Sequence, residues 1–446
     1  MIVGGACAGL TAVSTLTSQS SQLFDITLVE KKDFVEATIY ALRMMVQPNE
    51  FESSHIPLAD LEHRYRRNGH RLQFLTNAEA IGWQCHDGAN SSGTVTVINQ
   101  NGVQQSIEYD YLVLAAGSKY ATPYVKPDPR NLVSREMRRL EFQSFQQQVH
   151  SSSNRHVVVV GGGSLGLELV GELVDWNREH RPSNPFKITL VHSRTLLKDS
   201  SNSESMHQYL MSFMERYSVR VILGHRASLQ AEEATTLAIT AETAATSGDN
   251  DGEHQNDHVP VVPSWERDVD PTVTKTLALV PNAKLVPNAV SNSNNTVIND
   301  ATMVFWCGSL RPCTEWLSSS GGSHNTSGRT IALNDSGFVK VNSYLQCEGH
   351  ENIFAVGDIN DAPCVKLMGA ARVQAEKAAR NIVRLAGNRT VNNQFRGKAI
   401  SSYSLSLGST DAYFSVGDYM VLWGAPAATL KSSRSKTNLL SRLQRS

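Results

Sequence analysis

The chain has 446 residues, 40% of them hydrophobic, with 41 Lys and Arg balanced against 42 Asp and Glu. That length accommodates two or three domains of a folded soluble protein. Near-neutral charge removes any general electrostatic reason to bind nucleic acid, and no apolar run approaches the ~18–20 residues that cross a bilayer.

Six scattered cysteines (Cys7, Cys85, Cys307, Cys313, Cys347 and Cys364) form no CxxC pair, disulfide framework or zinc pattern, so a reducing compartment and no metal are expected. There is no secretory h-region, Arg-rich transit peptide or Met-Gly start. The opening "MIVGGACAGL" places only Met1, Ile2 and Val3 before a glycine turn. The first strand is therefore expected to extend further in the native product. An upstream exon or displaced start codon, and an acylation signal with it, would account for the abrupt beginning.

This first turn, Gly4-Gly5-Ala6-Cys7-Ala8-Gly9, keeps the outer glycines of a phosphate-cradling G-x-G-x-x-G and carries Ala6 in place of the middle one. "ITLVE" follows, and Glu30 stands where a carboxylate accepts hydrogen bonds from ribose hydroxyls. "YDYLVLAAGS" reads as a strand ending at Ala116 and Gly117, and the proline-rich "YATPYVKPDPR" reads as a linker.

The second turn is the stronger signal. "VVVVGGGSLGLELVGEL" sets Gly161, Gly163 and Gly166 in the full G-x-G-x-x-G pattern directly after four valines. There a tight turn, close backbone approach to a pyrophosphate and close helix packing each demand a glycine. The helix beyond offers free N–H groups to phosphate. Strand, turn, helix and strand within about thirty residues, found twice, define two βαβ nucleotide-binding modules. "KITLVH" ends the second unit at His192, followed by Ser193 and Arg194. No carboxylate stands there to repel a 2′-phosphate, and Arg194 is able to pair with one, so NADPH is allowed beside NADH; side chains merely facing solvent are the alternative.

Residues 231–300 are rich in Ala, Thr, Asn, Asp and Ser and read as a low-complexity insertion flanking a weak hairpin. Cys307 and Cys313 in "FWCGSLRPC" read as buried thiols. "NIFAVGDINDAP" is a strand ending in Gly357 and Asp358, an aspartate placed to meet a ligand at the sheet crevice or to cap the next helix. Lys366–Ala386 reads as a helix stopped by Gly387. From Phe395 alternating apolar residues indicate a small β-containing terminal domain, and "TLKSSRSKTNLLSRLQRS" carries five basic residues and no acidic one. Such a tail either rests on anionic lipid or is a frayed soluble end.

The order of glycine loop, acidic strand end, A-x-G, second glycine loop and A-x-G-D resembles the two-dinucleotide-domain flavoprotein reductases. "LQCEGHENIFAVGDINDAPCVKLMGAARVQAEKAARNIV", "VVVVGGGSLGLELVGEL", "ITLVHS" and "YALR" after "VEKKDF" resemble the apoptosis-inducing-factor-like group that includes the ferroptosis suppressor proteins, with type II NADH dehydrogenases as near relatives. Ala6 and Ala116 depart from the group's usual Gly and Thr.

The resemblance implies an α/β fold with two Rossmann-like domains and a small C-terminal α+β segment. FAD would bind residues 1–135 and 330–390, and NADH or NADPH would bind 150–329, with 391–446 forming the terminal domain and tail. It implies that Asp358 bonds the ribityl or phosphate region of FAD, that Arg43 matches the group's arginine after the first module, and that Glu168 is a nicotinamide-side contact. By the same resemblance the helix after Asp358 would point its N-terminus at the flavin pyrimidine. Lys366 adds charge there and Gln374 follows two turns on, making these two the candidate catalytic side chains. Lys431 matches a lysine near the acceptor pocket.

Without a C-x4-C after the first loop, dithiol chemistry is excluded. What remains is hydride transfer from NAD(P)H to flavin and onward transfer of electrons to an acceptor, which the resemblance implies is a quinone, ubiquinone or a vitamin K-like naphthoquinone. Reduction of ferredoxin or monodehydroascorbate, and a non-enzymatic effector role, are the competing readings. The expected location is the cytoplasm, with peripheral contact to membranes or lipid droplets, in preference to mitochondria.

Overall fold

The computed structural model describes residues 1–19, 24–46, 51–86, 92–120, 133–151, 156–194, 196, 204–229, 275–281, 296–308, 310–318, 330–397, 402–416 and 420–427. Two parallel sheets organise it. In the first, the strands run in the order Ile353–Ala355, Leu112–Leu114, Ile2–Val3, Ile26–Val29 and Leu72–Leu75. Ile2 pairs with Leu28 on one side and Val113 on the other. Three of these strands read simply IV, LVL and IFA, and every residue in them is buried. A parallel sheet covered by helices on both faces demands such continuous apolar runs rather than alternation. Leu10, Ala12 and Val13 of the helix Cys7–Gln19 share a core with Ala375, Ala378 and Ala379 of the helix Met368–Ala386.

The second sheet runs Arg220–Leu223, Lys187–His192, His156–Val160, Met303–Trp306, again all parallel. In both sheets the strand that leads into a glycine turn lies centrally, with the chain's later strands placed to either side. That is the topological switch point where an open α/β sheet forms its ligand crevice.

Antiparallel elements complete the molecule. Ala78–Cys85, Gly93–Asn99 and Gln104–Tyr109 form one three-stranded sheet. His225–Leu229, Lys275–Pro281 and Thr296–Ala301 form another, so part of the stretch read as an insertion is strand; residues 230–274 and 282–295 lie outside the described residues. The terminal segment is a meander of Ser402–Leu407, Asp411–Val416 and Met420–Trp423. Its basic tail and Lys431 lie outside the described residues. Among the described residues no helix is long and apolar enough to cross a membrane.

Candidate nucleotide-binding site

The two glycine turns share one geometry. Gly4 and Gly161 adopt φ of +108° and +120°, a region that side-chain-bearing residues avoid. A Cβ on Gly4 would sit 2.3 Å from Ala115 O, and one on Gly161 would sit 2.7 Å from Cys307 O, each at the end of the adjacent strand. The third glycines match as well: a Cβ on Gly9 or Gly166 would lie 1.8 Å from the carbonyl oxygen of Gly4 or Gly161. At Gly163 a Cβ would meet nothing within 4 Å, and the same holds at Gly308 and Gly117, so open space borders the second turn and the strand end before it. Helices begin directly after both turns, at Cys7 and Ser164, and their free N–H groups suit a diphosphate. These features fit a dinucleotide at each turn.

Glu30 leans over the first turn, where it accepts the Gly5 N–H and, at 3.2 Å, the Lys32 N–H. His192 occupies the equivalent place in the second unit: a Cβ on Gly162 would lie 3.0 Å from His192 Cγ. Arg194 is exposed just beyond. Ala6 is half-buried in the first turn, and Ala116 and Gly117 close the strand beside it, Gly117 with φ +73°.

Asp358 follows Gly357 at the end of the strand Ile353–Ala355 and accepts a hydrogen bond from Ser118 Oγ at 2.8 Å. Ser118 and Lys119 pair antiparallel with Pro312 and Arg311 beyond the second sheet, and Cys313 N–H donates to Gly117 O at 3.0 Å. Tyr120 comes next, packed against the core of the second unit. Burial pushes its phenol up to about 12, and the nearby charges of Asp358, Cys307 and Glu168 act in the same direction. Asp358 belongs to the first turn's neighbourhood, whereas Cys307 and Glu168 belong to the second's. Tyr120 thus stands where the two meet, a residue the sequence hid inside a linker-like stretch that matches no motif.

Gln374 is buried, its Oε1 accepting from Gly357 N–H at 2.7 Å and Asn360 Nδ2 at 2.9 Å while Nε2 donates to Cys364 Sγ at 3.3 Å. It buttresses the turn that carries Asp358. Lys366 is half-buried just before the helix Met368–Ala386, whose end at Gly387 matches expectation. Arg43 donates to Glu172 Oε1 at 3.2 Å, tying the helix Ala41–Val46 to the helix Ser164–His180. Glu168 Oε1 accepts the Ser406 N–H of the terminal meander at 3.2 Å. Cys307 is buried, its thiol pushed up to about 12 by that burial; Cys313 is half-buried.

A half-open cavity of about 750 Å³ lies elsewhere, lined by Ile2, Ile26, Val113 and Asn352. Those residues lie at or beside the starts of their strands, so it opens at the opposite end of the first sheet from the glycine turn and is not the dinucleotide crevice.

Two parallel sheets, each with a glycine turn at its switch point, define the fold of the two-dinucleotide oxidoreductases. The chain belongs to the pyridine nucleotide-disulphide oxidoreductase family, whose model matches residues 1–255. It is 25% identical over 435 residues to apoptosis-inducing factor homolog B of Dictyostelium discoideum, covering 97% of this chain and 93% of that protein. It is 24% identical over 442 residues to ferroptosis suppressor protein 1 of Xenopus laevis, covering 97% and 92%. The sulfide:quinone oxidoreductase of Aquifex aeolicus superposes with a TM-score of 0.66 at 18% identity, over 100% of this chain and 91% of that one.

Proposed function

We propose that the protein is an FAD-dependent NAD(P)H:quinone oxidoreductase, with FAD on residues 1–135 and 330–390 and the reduced nicotinamide nucleotide on 150–329. One observation carries this reading: two glycine turns of matched geometry are linked through the Gly117–Tyr120 segment, which bonds Asp358 on one side and pairs with Arg311 and Pro312 on the other. Flavin, when bound, would supply two-electron redox chemistry between the nicotinamide and the acceptor.

The chain's own residues bind and orient. The Gly4–Gly9 turn takes the FAD diphosphate, Glu30 its ribose, and Asp358, held by Ser118, the ribityl or phosphate region. The Gly161–Gly166 turn takes the NAD(P)H diphosphate. His192 lies where an NAD-selective site carries a carboxylate, and Arg194 offers a cation, so NADPH is accepted beside NADH. Lys366 supplies positive charge near the Asp358 turn, and Gln374 holds that turn in place. The quinone acceptor is supported by the kinship with ferroptosis suppressor protein 1 and by the fold shared with a sulfide:quinone oxidoreductase.

Purified protein should show a flavin absorbance spectrum that bleaches on anaerobic addition of NADH or NADPH and returns when ubiquinone or a naphthoquinone is added. A colourless protein that cannot be reconstituted with FAD would overturn the flavin assignment. Return of colour with ferredoxin or monodehydroascorbate but with no quinone would overturn the acceptor.

A further inference from the structure

Asn360 follows the turn Gly357–Ile359 and is wholly buried. Its side-chain Nδ2 donates to Ala355 O at 2.7 Å and to Gln374 Oε1 at 2.9 Å. Oδ1 accepts from the Ala362 N–H at 3.2 Å and from the Lys366 ammonium at 3.3 Å, and the main-chain oxygen accepts from the same ammonium. Two donors and two lone pairs exhaust a primary amide. One side chain therefore joins the end of the strand Ile353–Ala355, the turn bearing Asp358, the Lys366 cation and the helix Met368–Ala386.

Neutral oxygens, rather than a carboxylate, hold this lysine. Its other contact is the ring of Phe338, 5.2 Å from Nζ to the centroid. Burial lowers its pKa, opposed by Cys364, Asp358 and Asp361. A cation seated on an amide keeps its field, whereas one locked against a carboxylate has it largely cancelled.

We propose that Asn360 is the positioning residue that sets the Lys366 ammonium at the flavin site, and that it does so as a neutral amide so that the positive charge remains available to the flavin. This rests on the flavin assignment above. An asparagine inside "GDIND" carries no motif value of its own, which is why the sequence does not single it out.

Asn360→Asp keeps the size of the side chain, supplies a carboxylate that pairs with Lys366, and removes the two donated bonds. The test is the midpoint potential of bound flavin, measured by dye equilibration in the native protein, Asn360→Asp, Lys366→Met and the double variant. Asn360→Asp is expected to weaken binding of reduced relative to oxidised flavin about tenfold, a fall of ~30 mV for a two-electron couple. Lys366→Met should lower the potential comparably, and because the wholly buried carboxyl takes up a proton once its cation is gone, the double variant should fall no further. Effects that act through one group fail to add, whereas a merely structural disturbance adds to the lysine effect.

An unchanged potential in Asn360→Asp, or additive shifts, would overturn the inference. If Asn360→Asp does not fold, the same cycle with Asn360→Ser applies, with a shift that again vanishes in the Lys366→Met background. A native protein without flavin would instead sink the assignment on which the inference rests.

Discussion

Arg138 has no exposed surface, yet it carries a full charge into the interior. It donates to Glu36 Oε1 through Nη2 at 2.8 Å and to Glu141 Oε2 at 2.7 Å, and its guanidinium lies 4.2 Å from the Phe142 ring centroid. His55, stacked on Phe51 at 3.9 Å, stands 3.7 Å from the same Glu36 oxygen. Burial pushes the Glu36 carboxyl up, but Arg138, with His55 and Lys32, outweighs it and holds the group at about 2.

A buried pair of this kind adds little over an apolar replacement, whereas removing one partner strands the other charge. Arg138→Met should therefore cost roughly 3–5 kcal/mol, read as a fall in the urea midpoint. Because the folded pKa lies below the unfolded one, the stabilisation is present above about pH 4.5 and is lost as pH falls through about 2. The native protein should lose stability across that window, and Arg138→Met should lose much less. In the sequence neither residue is distinguished from other charged residues. Their pairing spans 102 positions and depends on where the chain returns.

At the scale of elements, the helix Ser164–His180 makes two close approaches for different reasons. Gly166 belongs to the nucleotide motif and was legible by spacing. Gly171 belongs to no motif, yet a Cβ there would lie 2.3 Å from Gly408 N in the terminal meander. Glu168 and Asp175, on the same face, accept the N–H groups of Ser406 and Ser409. Tyr209 and Tyr217 donate to Asp411 at 3.0 and 3.3 Å from the other side.

Alanine is favoured over glycine within a helix by about 1 kcal/mol, so Gly171→Ala would stabilise an isolated helix. In this protein it should lower the melting temperature and expose residues 402–427 to limited proteolysis, and an unchanged digestion pattern would contradict the packing. Alternation of apolar residues revealed that the terminal segment contains strands. It does not reveal their seat, because alternation reports which face is buried and not what covers it.

Across the whole molecule, the first and second glycine-turn units are tied by contacts that cross between them. Ala41, Leu42, Met44, Met45, Val46 and Phe51 pack in one core with Phe145, Leu167 and Phe305, and Arg43 reaches Glu172 across 129 positions. Burial pushes the Glu172 carboxyl up to about 7; Arg43 opposes, while Asp175 and Glu168 add to the rise. Here the folded pKa exceeds the unfolded one, so the folded state binds the extra proton. This group's contribution therefore weakens stability as pH rises from about 4.5 through about 7. Glu172→Gln should flatten that slope in denaturation curves taken at several pH values, and an unaltered slope would assign it to another group.

The sequence by itself determined the α/β class, the two glycine turns, the acidic strand end at Glu30 and the helix after Asp358. Each is a local pattern, in which the period of apolar residues or the spacing of glycines is dictated by backbone geometry over fewer than about thirty residues. Only the tertiary structure decided that Tyr120 stands between the two turns, that Gln374 buttresses the turn carrying Asp358, and that Asn360 holds Lys366. It alone decided that Arg43 pairs with Glu172. Those assignments depend on which distant segments pack together, and packing is a property of three-dimensional shape that no spacing along the chain records.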